Sequence, residues 1–284
     1  MSLDQSKTRR LSERDLDFLV DTVSPEVSDK PHLKQIIRED EDFRNTFMGD
    51  AKVFHRVMHD DEILVKISPP MFFEILLRKA ADDLSKVGYT LEKTRTMSIP
   101  VFDTEDLVSL LNRESLLIYL ADMLSSFTRV ESFTVSIRIR KGVWRKIRFN
   151  DLDIHSLMSL CDVVDDDYRF NLYKRIGDIC LFILGVFPVY AERNYRYPVS
   201  GQIRPGISGR RRVSPQDYQK EGQRFYRMAA EHRTALDLEL SEVFWALHEN
   251  FQKAKKPLNF IAEHYLPYKS NVFLIQAAIP HFIK

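Results

Sequence analysis

His55 and His59 stand four residues apart in the run His55-Arg56-Val57-Met58-His59-Asp60-Asp61. On a helix that spacing puts two imidazoles one turn apart on one face, where both can bind a single metal ion, and Asp60 or Asp61 would supply a third ligand. A solvent-facing pair of histidines is the simpler reading of the same residues. A second chemistry is electrostatic. Between Ser132 and Asn150 there are six basic residues, Arg138, Arg140, Lys141, Arg145, Lys146 and Arg148, and no acidic one. On a strand, Arg138, Arg140, Lys146 and Arg148 would share one face with the aromatic Trp144 near them, a surface suited to a phosphate backbone. The alternative is a surface hairpin whose cations pair with Asp151, Asp153 and Asp165 to Asp167. A third segment, 193–214, carries Arg193, Arg196, Arg204, Arg210, Arg211 and Arg212 with no acid, and Tyr190, Tyr195 and Tyr197 lie in or beside it. Cations hold phosphates and aromatic rings stack on exposed bases. The same segment also fits a solvated connector, and Arg210 to Arg212 a partner-docking or cleavage site.

Other chemistries find little support. Cys161 and Cys180 are the only cysteines and are widely spaced, which argues against a disulfide framework and a cysteine zinc site and fits a reducing compartment. The chain has no Gly-x-Ser-x-Gly elbow, no Gly-x-x-x-x-Gly-Lys-Ser/Thr loop and no Gly-x-Gly-x-x-Gly fingerprint. No cofactor is therefore expected. Asp178 reads as a perturbed buried acid or, more simply, as the partner of Lys174 one turn earlier or of an arginine from elsewhere, and the acidic runs Asp40-Glu41-Asp42 and Asp165-Asp166-Asp167 read as helix starts or solvated surface.

These residues need elements to position them. The 284 residues hold 42 Lys plus Arg against 41 Asp plus Glu, a formal charge of +1 that excludes a histone-like polycation. Only nine residues are glycine, which argues against turn-rich all-β folds. The pattern is that of a mainly α protein, a single helical core with one β-hairpin near 133–149 and a long Arg/Gly/Pro loop near 193–214. One domain over 1–284 is expected, with 193–214 as the place for any subdivision. Ser12 with Asp15, Ser68-Pro69-Pro70 and Ser214-Pro215 are helix starts. The row Glu74, Arg78, Asp82, Lys86 reads as a solvated ladder of alternating charge on a helix running to Gly88. Asp103 reads as a helix cap. A long helix from about Asp167 to Phe187 becomes apolar on all sides after Ile179 and belongs in the core. Gly177 and Gly185, two turns apart within it, suggest close approach of another helix. Pro257 reads as an interruption. The apolar stretch Asn271 to Lys284 should dock on the body or on a second copy. No apolar run reaches the roughly 20 residues of a membrane span, and no secretory signal is read at the start, so a cytoplasmic protein with no membrane partner is expected.

Three resemblances add expectations. Helices followed by a basic hairpin, over about 103–149, resemble a winged-helix DNA-binding domain in architecture alone. His59-Asp60, with His32 upstream, resembles the central doublet of HD-type metal phosphohydrolases, although Asp61 and Glu62 replace the small and glycine residues that usually follow. The run Gly177-Asp178-x-x-Leu181-Phe182-x-x-Gly185-x-Phe187, with Tyr218-x-x-x-Gly222-x-x-x-Tyr226, Ala229 and Ala230, resembles uncharacterised bacterial helical proteins. That resemblance implies a bacterial, cytoplasmic protein and brings no established activity, cofactor or site. The functional expectation is a non-enzymatic binding or regulatory protein that contacts nucleic acid through Arg138, Arg140, Trp144, Lys146, Arg148, Arg196, Arg210, Arg211 and Arg212. The alternatives are a helical adaptor for an acidic protein surface or for its own copy, and a metal-dependent phosphohydrolase using His55, His59 and Asp60.

Overall fold

The Ser12 hydroxyl accepts from the Asp15 backbone N–H at 3.3 Å while the Asp15 carboxylate takes the Ser12 N–H at 3.0 Å, the reciprocal cap that opens α1 (Glu13–Val23). The same buried carboxylate accepts from the Ser68 N–H at 2.7 Å and the Ser68 hydroxyl at 2.9 Å. Ser68 caps α6 (Pro69–Val87), so one acid joins the starts of two helices distant in sequence. The computed structural model describes residues 11–93, 98–128, 132–140, 143–150, 154–188, 191 and 213–269, and only the backbone at 91–93, 98–99, 132–140, 143–150 and 269.

The chain is mainly helical and gathers into two compact units. The first comprises residues 1–128 and 256–273. After α1 come α2 (Lys30–Glu39), α3 (Glu41–Met48), α4 (Ala51–His59) and α5 (Ile63–Lys66), and all of them surround α6 or one another. The α6 helix buries Met71, Phe72, Phe73, Leu76, Leu77 and Leu84 and ends at Gly88, whose φ of 74° is open to glycine without strain. A short antiparallel pair, β1 (Thr90–Lys93) and β2 (Ser98–Val101), follows, with Thr90 opposite Val101. The alternation there is too short to stand out in the sequence. The apolar stretch after Asp103 forms two helices, α7 (Thr104–Leu111) and α8 (Glu114–Ser126), both packed on α6.

The second unit comprises residues 129–255 and 274–284. Its strands β3 (Ser132–Arg140) and β4 (Val143–Asn150) pair antiparallel along their backbones. Then come α9 (Ile154–Cys161), α10 (Asp166–Val186), α11 (Pro215–Glu231), the short α12 (Arg233–Asp237) and α13 (Ser241–Glu249). The apolar end of α10 is buried at every position from Ile176 to Val186. It lies against α11, where the ring of Tyr226 fills the space a side chain at Gly177 would need. The units part after Thr128 and again after Lys255.

The last helix, α14 (Phe251–His264), contains Pro257 in its interior, so this proline continues a helix that it was expected to interrupt. Its later residues complete the first unit, with the Tyr265 hydroxyl donating to Asp83 at 2.7 Å. Burial first, and then the bond to Asp83, push that phenol above its ordinary range. Among the described residues no helix is long and apolar enough to cross a membrane.

Among the described residues, one non-glycine position has a strained backbone. Glu239, in the corner between α12 and α13, has φ of 55°, a left-handed conformation that crowds any Cβ. Glu239→Gly is expected to raise stability by about 0.5–1 kcal/mol, read as a higher urea midpoint at unchanged slope.

Candidate functional site

The two units differ in charge. The first holds 19 Lys plus Arg against 25 Asp plus Glu, and the second 23 against 16. The near-neutral whole therefore divides into a part of net −6 and a part of net +7. Both acid-free basic stretches, 132–150 and 193–212, belong to the second part.

In β3 and β4 the register sets Thr134 opposite Arg148, Ser136 opposite Lys146, and Arg138 opposite Trp144. Those positions alternate with Phe133 opposite Phe149 and Val135 opposite Ile147. A register shift between Arg138 and Arg140 then sets Arg140 opposite Val143. An extra residue in one strand reverses the alternation beyond it, so Arg140 leaves the row of Arg138, Lys146 and Arg148 in which it was expected. The side chains of Arg138, Arg140, Trp144, Lys146 and Arg148 lie outside the described residues, as do Arg196, Arg210, Arg211 and Arg212 altogether. The winged-helix expectation is corrected in one respect. Helices α7 and α8 pack on α6 in the first unit, whereas β3 and β4 belong to the second, where β4 adjoins α9.

The histidine segment does not assemble a metal site. His55 and His59 lie in α4 with their rings stacked, 4.0 Å between centroids, and the His59 Nδ1–H donates to the His55 carbonyl at 2.8 Å. Asp60 takes the Lys66 ammonium at 2.6 Å and the Glu62 N–H at 3.0 Å. The hydrogen bond to Lys66 holds its carboxyl below the usual range, against a smaller opposing effect of burial. Together with Arg56, Asp61 and Glu62 these residues line a shallow, open depression. Among the described residues no group of three or more His, Cys, Asp or Glu is placed to hold a metal ion. His32, the upstream ligand of the HD-type resemblance, lies in the first turn of α2, its N–H on Asp29.

The ionisable groups that are deeply buried serve packing. Asp178 receives the Lys174 ammonium at 2.7 Å, as expected, and also the Tyr226 hydroxyl at 2.9 Å from α11. Gly177, Asp178, Gly222 and Tyr226 thus form a helix seam. Cys180 is enclosed there, and burial drives its thiol well above the ordinary range. Burial likewise pushes the Cys161 thiol up to about 11, with Asp162 adding to the effect. Neither is an activated nucleophile.

Two charged constellations were not visible in the sequence. The ladder on α6 is solvated at its far end, where Lys86 meets Asp82 at 2.6 Å, but Glu74 is fully buried. Glu74 binds Arg44 of α3 through both oxygens, at 2.7 and 2.8 Å, and Arg78 bridges Glu74 to Glu114 of α8. Asp103 makes no cap; it takes Lys256 of α14 at 2.5 Å and the Thr90 hydroxyl at 2.9 Å. In both cases the partner comes from far along the chain, and no local spacing announces it.

Comparison with protein-family models, with the curated proteins and with the solved structures gives no match.

Proposed function

We propose that this is a non-enzymatic binding protein whose second unit holds nucleic-acid phosphates. The observation that carries the reading is the segregation of charge. A chain of net +1 places net +7 in one unit, and in that unit two stretches of six cations each contain no acid. Clustered cations gain affinity for polyanions by releasing counterions, and their effect depends on local density rather than on the charge of the whole chain. Arg138, Lys146 and Arg148 occupy one alternating row of the β3–β4 register, with Trp144 opposite Arg138. A cytoplasmic, bacterial setting goes with this reading, as does a binding rather than catalytic role. The buried acids Asp15, Glu74 and Asp178 are each held by several internal donors.

The test is fluorescence anisotropy of the full chain with labelled duplex DNA, single-stranded DNA and RNA, at about 50 and 200 mM salt. Binding should weaken steeply with salt. In the triple variant Arg138→Glu, Lys146→Glu, Arg148→Glu, affinity should fall at least about tenfold and the salt slope should drop by about one for each phosphate interaction removed. Circular dichroism should show the variant folded. Arg140→Glu alone should cost less than any member of the row. Absence of binding to all three probes at the lower salt would overturn the reading.

A further inference from the structure

We propose that the corner from His232 to Leu240, between α11 and α13, is a proton-sensitive latch, closed while His232 is neutral and loosened when it is protonated. The tautomer follows from the partners. His232 Nδ1 accepts from the backbone N–H of Thr234 at 3.1 Å and so caps α12, while Nε2 lies 3.1 Å from the backbone carbonyl of Asp166. A carbonyl only accepts and an N–H only donates, so the ring carries its single proton on Nε2. The side chain is 10% exposed and lies beside the rings of Phe170 and Tyr173, at 5.6 and 6.4 Å.

Imidazolium has a proton on both nitrogens. Its Nδ1–H would face the Thr234 N–H, and the cap would become an opposition of two donors. The surrounding charges do not restore what is lost. From α10, the Asp166 carboxylate lies 3.7 Å from Nε2, but its side chain is 76% exposed and already paired with Arg169. Screening by water leaves such an attraction small. The Tyr173 phenol, held above its ordinary range first by burial, is neutral near pH 7. From α11, Glu231 is engaged by Arg227, and within α12 Arg233 pairs with Asp237.

The corner also holds strain that opening can release. Glu239 keeps its left-handed backbone while the Leu238 and Leu240 N–H groups bond to Thr234 and Ala235 at 3.0 and 2.8 Å. Those carbonyls are in place only while α12 is wound, and α12 starts at the His232 cap. Two observations thus point to one two-state element: a cap that a proton abolishes and a strained residue that the capped helix retains.

The experiment is amide hydrogen exchange by NMR on the full chain between about pH 7.5 and 5.5, with nitrogen-15 correlation reading the protonation of the His232 ring directly. At the upper pH the ring should show the Nε2–H tautomer. As the ring gains its proton, protection of Thr234 and Ala235, corrected for intrinsic rates, should fall by about tenfold or more while amides of α6 stay unchanged. His232→Asn supplies a capping oxygen that does not titrate and should keep protection flat across the range. His232→Ala should lose it at both ends. Asp166→Asn, which removes the carboxylate 3.7 Å from Nε2, should leave the fall in place. Protection that stays level through the ring's titration, an Nδ1–H tautomer, or the same fall in His232→Asn would each overturn the proposal.

Discussion

Glu74→Ala should destabilise the first unit by about 3–5 kcal/mol, the loss expected when one partner of a buried ion pair is removed and the other stays behind. Glu74 is fully buried and Arg44 is 2% exposed, so water cannot replace the carboxylate. Both Glu74 oxygens serve Arg44, and Arg44 Nε has no partner of its own, which leaves that guanidinium reliant on Glu74 and on Glu114 at 3.2 Å. Arg78 would keep Glu114 and Asn45, at 2.5 and 2.7 Å, and being 15% exposed it can turn toward water. Arg44 would keep only the longer contact to Glu114 and, being buried, cannot turn toward water. The double variant Arg44→Met, Glu74→Met should recover most of the loss, because removing both charges also removes both desolvation costs. Urea denaturation followed by circular dichroism measures these differences. A loss below about 1 kcal/mol in the single variant would mean that the pair is worth no more than a surface one. By contrast Lys86→Ala, which removes the exposed partner of Asp82, should cost almost nothing at physiological salt.

That contrast shows what local spacing can convey. The row Glu74, Arg78, Asp82, Lys86 has the same four-residue spacing throughout, and each step looks alike from within the helix. Its upper end is buried because α3 and α8 cover it, and nothing local to α6 reports their approach. The caps at Ser12, Ser68 and Ser214 were readable because their donors lie within three residues, and all three form. Asp103 failed by the same logic: its helix begins where expected, but the side chain is claimed by Lys256 from across the sequence. Pro257 is the seventh residue of α14, past the first turn, so its ring removes one intrahelical hydrogen bond, and the helix still continues for seven residues beyond it. The candidate interface was visible as composition, since runs of cations without acids are apparent in a string of letters. The bulge that moves Arg140 out of the row was not, because it depends on how two strands align. His232 gave no signal either. Its ring acts through the backbone groups of Thr234 and Asp166, and only the meeting of α10 with the α11 corner creates that environment.

Gly222→Ala should destabilise the second unit by about 2–3 kcal/mol, although alanine is the better helix former. Taken alone, the substitution in the middle of α11 would gain up to about 1 kcal/mol of helix propensity. The space decides otherwise. A Cβ at this position would lie 2.5 and 2.6 Å from two ring carbons of Phe251 and 2.9 Å from the Cβ of Cys180, closer than carbon atoms approach. Phe251 is fully buried and packs beside Tyr226, whose ring in turn lies over Gly177. Neither ring has an open direction in which to swing, and the Cys180 Cβ is fixed to the α10 backbone. Relief therefore requires α11 to move away from α10, which would stretch the Tyr226 bond to Asp178. Phe251→Leu removes ring atoms from the point of conflict, so the double variant Gly222→Ala, Phe251→Leu should lose less than the two single losses combined, with a coupling of about 1 kcal/mol or more. Thermal denaturation of the four proteins, followed by near-ultraviolet circular dichroism to report the tyrosine and phenylalanine environment, closes the cycle. If Gly222→Ala matched or exceeded the parent in stability, the α10–α11 seam would have to be loose enough for propensity to win. Gly177 would then be a tolerated glycine rather than one required by the approach of Tyr226.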